Sequence, residues 1–409
     1  MRRALAGVSL LLLPAAVLAF EAVDAIPYPS LGDFPAYPPE ERGPGRLYGQ
    51  IGVERDDNVL RQPTGQTYET ITRVGVGASY EARVIGRQRV LLEARGDGYK
   101  YLNFSELDNF AYGVLGEWRW ELGNPLSGTL GAGRRQYQVD ISELRAPIKD
   151  EVTENHVYGT AALRILNRWR LRAAFDALDG DRPSAPEAEV YTRGLTAGFD
   201  YVSPLGNTLG IEARRSDGDA EVPEELDPLG IFVDNDYEET EVALVGTYNP
   251  GPSLRVAARV GHTKRTYTQI PGRDFDDNTG RLDVGWRPGN KTLLRFRVYR
   301  EPRSIIDVGA SHVLVEGVSF GPTWAPTAKL VFGVFLINEE RLYSGDPGAA
   351  LGIEPLRDET VRGYALTAGW ELTRRHHLGF AFEHGERTSN DLERDYDYNA
   401  LTLNFRYVF

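Results

Sequence analysis

The amino-acid sequence predicts an all-β protein, a transmembrane antiparallel up-and-down β-barrel of about 18 strands (range 16–18). Three observations predict this class. Apolar and polar residues alternate through most of the chain, and the connections between the alternating segments are in turn short and long. All six tryptophans lie beside the short connections. Each feature is typical of a closed sheet that crosses a bilayer with tilted strands.

Composition narrows the function classes. The chain of 409 residues carries 46 Lys and Arg against 59 Asp and Glu, a formal charge of −13, and contains no cysteine. The negative balance argues against general nucleic-acid binding, and we expect no nucleic-acid partner. The absence of cysteine excludes disulfides, thiol nucleophiles and Cys-ligated metal centres. After the first twenty residues, no apolar run reaches the roughly 18 residues that a membrane-spanning helix needs.

The N-terminal region predicts export from the cytoplasm. Residues 1–25 resemble a secretory signal peptide, with two arginines before an apolar stretch and cleavage after Ala19 or Ala25. Residues 26–45 are rich in proline, which removes backbone donors and favours an extended chain, so we expect a periplasmic tether there. Residues 46–409 are then expected to form one outer-membrane barrel.

Alternation with a period of two is the strand signal. In one clear segment Leu254, Val256 and Val260 share a face, and Arg255 and Arg259 share the other. Most such segments exceed the roughly 9–11 residues that a tilted strand needs to cross a bilayer. The predicted strands are 46–59, 68–85, 88–104, 108–121, 126–142, 153–166, 169–180, 188–203, 206–218, 235–249, 253–267, 274–288, 291–303, 310–324, 327–342, 358–373, 376–389 and 395–409.

The connections separate a membrane barrel from a soluble sandwich, whose strands also alternate. Eight of them are tight turns, and the connections between these turns are mostly longer and polar. Short periplasmic turns opposed to longer outer loops characterise outer-membrane barrels. The tight turns are at 85–87, 123–125, 166–168, 204–206, 250–252, 288–290, 326 and 374–375.

The large aromatic residues predict where the barrel meets the membrane surface. Amphipathic rings at one level of a barrel form an interfacial girdle, whereas rings that fill a core would lie in the middle of strands. The predicted girdle consists of Trp118, Trp120, Trp169, Tyr201, Tyr248, Trp286, Trp324 and Trp370.

The last predicted strand has the form of an insertion signal. Phe405, Tyr407 and Phe409 share one face with Leu401 and Leu403. The segment is similar to the C-terminal strand that outer-membrane barrels present to their insertion machinery. We therefore expect that machinery, together with outer-membrane lipid and lipopolysaccharide, to be partners of this chain.

The opposite face of the strands carries charge and is expected to line an aqueous lumen, because a charged residue facing lipid costs about 2–4 kcal/mol at the midplane. Two interpretations of this face stay open: a wall of internal salt bridges, and a selective pore with a basic sector at Arg255, Arg259, Arg295 and Arg297. The predicted lumen-lining residues are Glu93, Arg95, Arg170, Arg172, Glu212, Arg214, Arg255, Arg259, Arg295, Arg297, Glu371 and Glu383.

No catalytic, cofactor-binding or metal-ligating motif stands out. Residues 274–278 begin like a calcium loop but lack its glycine and its final glutamate. The acidic segment Asp217–Glu241 is expected in an outer loop, where it is either solvated or binds cations that bridge lipopolysaccharide. A hydrolase would require an inward histidine, for which His156 is the candidate. We therefore expect a protein that is not an enzyme and needs no cofactor.

A family resemblance refines the functional expectation. Asp56-Asp57-Asn58-Val59-Leu60-Arg61, at the end of the first strand, resembles the opening motif of a β-barrel porin family. The likeness continues at residues 86–89, 99–104, 107–108, 118–120 and 126–128. The best-known members are EpsL-like outer-membrane proteins associated with exosortase-linked exopolysaccharide biosynthesis. The resemblance implies a barrel that serves assembly or passage of a secreted polysaccharide.

Four functions follow as hypotheses for this expected Gram-negative outer-membrane protein. The first is a channel or scaffold for exopolysaccharide export, with export components as partners. The second is a general or anion-selective porin for small solutes. The third, an outer-membrane hydrolase, predicts activity that is lost in His156→Ala. The fourth is a purely structural barrel tethered through its proline-rich segment.

Overall fold

The computed structural model describes residues 45–139, 141, 148–184, 190–220, 224–226, 231–233, 236–269, 271–303, 312–344 and 357–409. Eighteen long strands pair with their neighbours in antiparallel register, and the first pairs with the last, with Tyr48 opposite Val408, so the sheet is a closed barrel. The predicted fold class is confirmed. Among the described residues, no helix is long and apolar enough to cross a membrane.

The barrel strands alternate in direction around the sheet. They are β1 (Gly45–Asp56), β2 (Glu69–Arg83), β3 (Arg89–Tyr101), β4 (Asn109–Leu122), β5 (Leu126–Gln138), β6 (Glu151–Ile165), β7 (Trp169–Asp181), β8 (Val190–Val202), β9 (Thr208–Ala220), β12 (Tyr237–Gly251), β13 (Leu254–Tyr267), β14 (Phe275–Trp286), β15 (Thr292–Arg303), β16 (His312–Trp324), β17 (Leu330–Ser344), β18 (Asp358–Glu371), β19 (His376–Ser389) and β20 (Tyr396–Val408), and a short hairpin of β10 (Glu224–Leu226) and β11 (Ile231–Val233) lies between β9 and β12.

The short and long connections lie at opposite ends of the barrel. All eight short connections have between two and five residues, and both chain ends of the sheet lie at the same end as these turns. The tightest geometry is at Leu166 and Asn167, whose φ angles are 50° and 62°. Two successive residues with positive φ are typical of tight β-hairpin turns, because this conformation matches the twist of the two strands. Leucine is rarely found in this conformation, so the turn is held by the register of β6 and β7.

The two faces of the strands differ in chemistry. On β2, Val74 and Val76 are 57% and 63% exposed, whereas Arg73 on the other face is 4% exposed. The same alternation runs through β13, where Val260 is exposed and Arg265 is buried. Because successive side chains point to opposite faces, the sequence period of two becomes one apolar surface and one polar surface.

An apolar core lies at the end with the long connections. Val59 and Leu60, from the β1–β2 connection, pack with Leu107 from the β3–β4 connection and with Ile71 and Tyr101 on the strands below. Leu107 is completely buried. The core joins neighbouring outer connections to one another and to the sheet.

The end of the first strand corrects the sequence prediction. Residues 57–59 were expected in the strand, but β1 ends at Asp56. The chain turns there because the Asn58 side-chain amide donates to the backbone carbonyls of Gln62 at 2.9 Å and Asp397 at 2.8 Å. These bonds tie the first connection to the last strand, next to the point where the barrel closes.

A further boundary differs from expectation. The fifth strand was predicted to reach residue 142 but ends at Gln138, since Ile141 leaves the sheet and joins the apolar core. The acidic segment Asp217–Glu241, expected in an outer loop, has its two ends in β9 and β12, as the predicted strands 206–218 and 235–249 imply. Acidic side chains are accommodated there because Arg259 and Arg265 on β13 pair with them. The predicted signal peptide and almost all of the predicted tether lie outside the described residues.

Candidate functional site: the polar inner wall

The polar face of the sheet is its concave side. Side chains from strands that are not adjacent meet on this face by crossing over the strand between them. The Tyr158 hydroxyl on β6 donates to Glu117 on β4 at 2.5 Å, and Gly131 on β5 lies underneath. A Cβ at Gly131 would lie 2.2 Å from the Tyr158 ring. Side chains converge in this way only inside a curved sheet, so we assign the polar face to the lumen.

The twelve residues predicted to line the lumen are all placed on this polar face, opposite the exposed apolar side chains of their strands. The structure brings five of them, together with Asp176, Asp200 and Glu241, into one region of β7, β8, β9, β12 and β13. These five are Arg170, Arg172, Glu212, Arg214 and Arg259.

A chain of ion pairs, which we call the charge ladder, runs through that region. Arg172 pairs with Asp200 at 2.7 Å and with Glu212 at 2.7 Å. Glu212 also accepts from Arg259 at 2.6 Å, and Arg259 reaches Glu241 at 2.5 Å. Charge-assisted bonds of this length are among the stronger hydrogen bonds in proteins. In the ladder each charge therefore lies beside an opposite one, over five neighbouring strands.

Glycines make room for the ladder. The Arg172 side chain crosses above Gly198 on β8 to reach Glu212 on β9. A Cβ at Gly198 would lie 2.8 Å from a nitrogen of the Arg172 guanidinium group. A Cβ at Gly194 would similarly lie 2.6 Å from Asp176, the residue that pairs with Arg214. The small residues on β8 thus let the longer side chains of β7 and β9 meet.

A second group of ion pairs lies nearer the long connections, and sequence reasoning missed it. Glu339, which has no exposed surface, pairs with Arg341 at 2.9 Å and Arg303 at 3.2 Å. Glu359 similarly pairs with Arg387 at 2.6 Å, where both side chains are fully buried. The alternation of polar and apolar residues does predict that these residues lie on the inner face, but it does not predict which of them form ion pairs.

The predicted basic sector separates into two kinds of residue. Arg259 belongs to the charge ladder, and Arg297 pairs with Asp283 at 2.6 Å. Arg255 and Arg295 instead lie opposite the same residue, Gly285, one from each side. In the described part of the chain, neither of these two guanidinium groups has an ion-pair or hydrogen-bond partner.

The remaining predicted lumen residues lie apart from the ladder. Glu93 and Arg95 are exposed on the inner face of β3. Glu383 lies midway along β19, and Glu371 ends β18 beside a short turn.

The aromatic residues predicted to form a girdle lie on the apolar face, close to the short turns. Trp169 stacks on Phe199 with 4.9 Å between ring centroids and meets Tyr201 edge-on at 5.3 Å. Trp324 packs on Phe332 at 5.8 Å. The same placement holds for Trp118, Trp120, Tyr248, Trp286 and Trp370. Their role at a membrane interface stays a prediction.

The predicted insertion signal forms the outer face of β20. The Tyr407 and Phe409 rings meet edge-on with 4.9 Å between centroids. Phe405 lies opposite Ile51 of β1 and Leu378 of β19, so the strand joins the two ends of the sheet. Recognition of this strand by an insertion machinery stays a prediction.

The histidine on which the hydrolase hypothesis depends is not accessible. His156 is 3% exposed and stacks on Tyr158 with 5.0 Å between ring centroids. A general base must reach the proton that it abstracts, and the His156 ring is instead buried and covered by Tyr158. Among the described residues, no group of three or more His, Asp or Glu side chains is arranged to hold a metal ion.

Solved outer-membrane proteins have a similar fold. OccK2 (OpdF) of Pseudomonas aeruginosa aligns with a TM-score of 0.52 and 12% identity over 90% of this chain and 100% of that one. OpdK of the same organism gives 0.50 and 13% over 89% and 99%. A BenF-like porin from Pseudomonas fluorescens Pf-5 gives 0.50 and 9% over 89% and 99%. No protein-family model and no curated protein matches the sequence.

These similarities concern the fold. The chemistry of the two faces of the sheet is consistent with a membrane barrel. A closed barrel with an exposed apolar exterior and a charged interior is stable only where hydrocarbon covers its outside. The chain folds as an outer-membrane β-barrel. Its location is the outer membrane of a Gram-negative bacterium.

Proposed function

We propose that this barrel is a channel through which an exopolysaccharide crosses the outer membrane. The observation that carries the proposal is that much of the inner wall neutralises its own charge. Glu212 is shared by Arg172 and Arg259, and Glu339 is shared by Arg303 and Arg341.

A wall of this kind suits a hydrated, hydroxyl-rich polymer. Opposite charges held about 3 Å from each other produce a weak field at a distance, while their remaining donors and acceptors still form hydrogen bonds. A sugar chain requires such exchangeable hydrogen bonds and is not retained by a strong field. Conduction in general requires binding that is weak enough to allow release.

The resemblance to EpsL-like proteins supports the same role by analogy. Its motif residues are used structurally: Asp57 accepts from the Asn399 side chain at 2.8 Å, and the Arg61 guanidinium lies 3.6 Å from the centre of the Tyr398 ring. The motif therefore fastens the first outer connection to the last strand. It marks how the barrel closes, and the polysaccharide role rests on the analogy because a fold alone does not fix a function.

Gene deletion tests the proposal. We expect the deletion strain to lose or shorten its surface polysaccharide, and expect plasmid-borne wild-type protein to restore it. The purified protein in planar bilayers is expected to conduct. Unchanged amount and chain length of polysaccharide in the deletion strain would refute the role, and a steady open pore in the same protein would then favour a porin for small solutes.

A further inference from the structure

Three arginines lie near the end of the barrel that carries the short turns. Arg255 on β13 and Arg295 on β15 flank Gly285 on β14, and Arg287 follows directly after β14. Arg287 and Arg297 carry charge of the same sign close enough to Arg295 to act on it. In the part of the chain that the structure describes, no acceptor bonds to the guanidinium of Arg255, Arg287 or Arg295.

The space between these arginines is open. A Cβ at Gly285 would meet no atom within 4 Å, although a Cβ at Gly131 or Gly317, also on the inner face, would collide with a tyrosine ring that covers it. On its other side Arg295 lies opposite Gly321, another residue without a side chain. Two arginines on alternate strands are about 10 Å apart at Cα, since neighbouring strands are separated by about 4.8 Å.

The open space around Gly285, which we call the recess, lies between guanidinium groups that have no acceptor in the described part of the chain. Some inner-face arginines, such as Arg172 and Arg259, bond to carboxylates of the protein itself, whereas Arg95 and Arg164 have no such partner among the described residues. Guanidinium groups have a planar fork of donors that matches a carboxylate, and like charges held together without an anion repel each other. The recess contains guanidinium groups without a carboxylate partner, so a ligand would provide the carboxylate.

We propose that Arg255, Arg287 and Arg295 form a carboxylate-binding subsite around Gly285 at the short-turn mouth of the lumen. The ligand chemistry is a sugar carboxylate, as in a uronic acid. In the polymer form this deepens the channel function proposed above and rests on it. A free small carboxylate has the same binding chemistry, so the two sources are separated by experiment.

The test uses the purified full-length barrel in planar bilayers, with three probes added on the short-turn side. These are an octamer of galacturonic acid, galacturonic acid itself and a neutral glucose octamer. The variant is R255Q/R295Q. Its matched control is R95Q/R164Q, which removes the same charge from inner-face positions on β3 and β6. Migration of unheated samples in SDS gels verifies that each variant is folded.

We expect the uronate octamer to block current, with the concentration for half block raised at least about tenfold in R255Q/R295Q and unchanged in the control. Any block of current by the neutral octamer should be the same in the wild type and in R255Q/R295Q. Equal loss in both variants, or no loss in R255Q/R295Q, would overturn the site. If galacturonic acid blocks as strongly as the octamer, the site stands as one for free carboxylates and the polymer assignment fails. These readouts are independent of the deletion phenotype, so the subsite and the export role fail separately.

Discussion

Neutralising Glu212 is the most direct test of the charge ladder. Its carboxylate is 3% exposed and accepts from Arg172 at 2.7 Å and from Arg259 at 2.6 Å. In Glu212→Gln the amide keeps one acceptor but loses the charge, and each arginine keeps its second carboxylate. A charge-assisted bond contributes about 1 kcal/mol more than a neutral one, so two such bonds predict a loss of about 2 kcal/mol. The two arginines are only partly exposed, which limits screening by solvent.

The assay is reversible urea unfolding of the barrel in lipid vesicles, followed by tryptophan fluorescence. Glu93→Gln is the matched control, because Glu93 is exposed on the same inner face but lies outside the ladder. We expect the midpoint for Glu212→Gln to fall by the equivalent of about 2 kcal/mol, while the control changes by less than about 0.5 kcal/mol. Equal midpoints for wild type and Glu212→Gln would refute the idea that the ladder stabilises the barrel. Equal losses in the two variants would attribute the effect to net charge alone.

Three further outcomes are expected. Gly131→Val forces its side chain into the Tyr158 ring and should lower the unfolding free energy by about 2 kcal/mol or more, whereas Gly180→Val, which enters open space, should not change it in the same urea titration. Asn58→Ala removes the three hydrogen bonds of a fully buried side-chain amide and should cost about 1–3 kcal/mol, with faster protease cleavage of the first connection; unchanged cleavage would contradict the idea that Asn58 ties this connection to the last strand. Phe409→Ala should slow membrane assembly in a pulse-labelled folding assay without changing the stability of the assembled barrel, and a wild-type assembly rate would exclude it from the insertion signal.

Much of the fold followed from local chemistry. The period of two fixes which side chains share a face, so Glu212 and Arg259 were placed on the polar face without knowledge of the neighbouring strands. Proline, glycine and asparagine indicated the positions of the short turns. The tryptophans next to these turns indicated which end of the barrel carries the aromatic residues. The last residues of several strands were less predictable because they depend on contacts made by the loops, as Asn58 shows at the end of β1.

The sequence by itself therefore determined the barrel, its approximate strand number and the polarity of each face, because these depend on alternation along one strand. The tertiary structure alone decided which charges are neutralised, because that depends on the register between strands that are distant in sequence. Arg255 and Arg259 occupy equivalent positions in the pattern, four residues apart on one face of β13. Register places Arg259 between Glu212 and Glu241, with which it forms ion pairs. It places Arg255 opposite Gly285, where no residue of the described chain forms an ion pair with it.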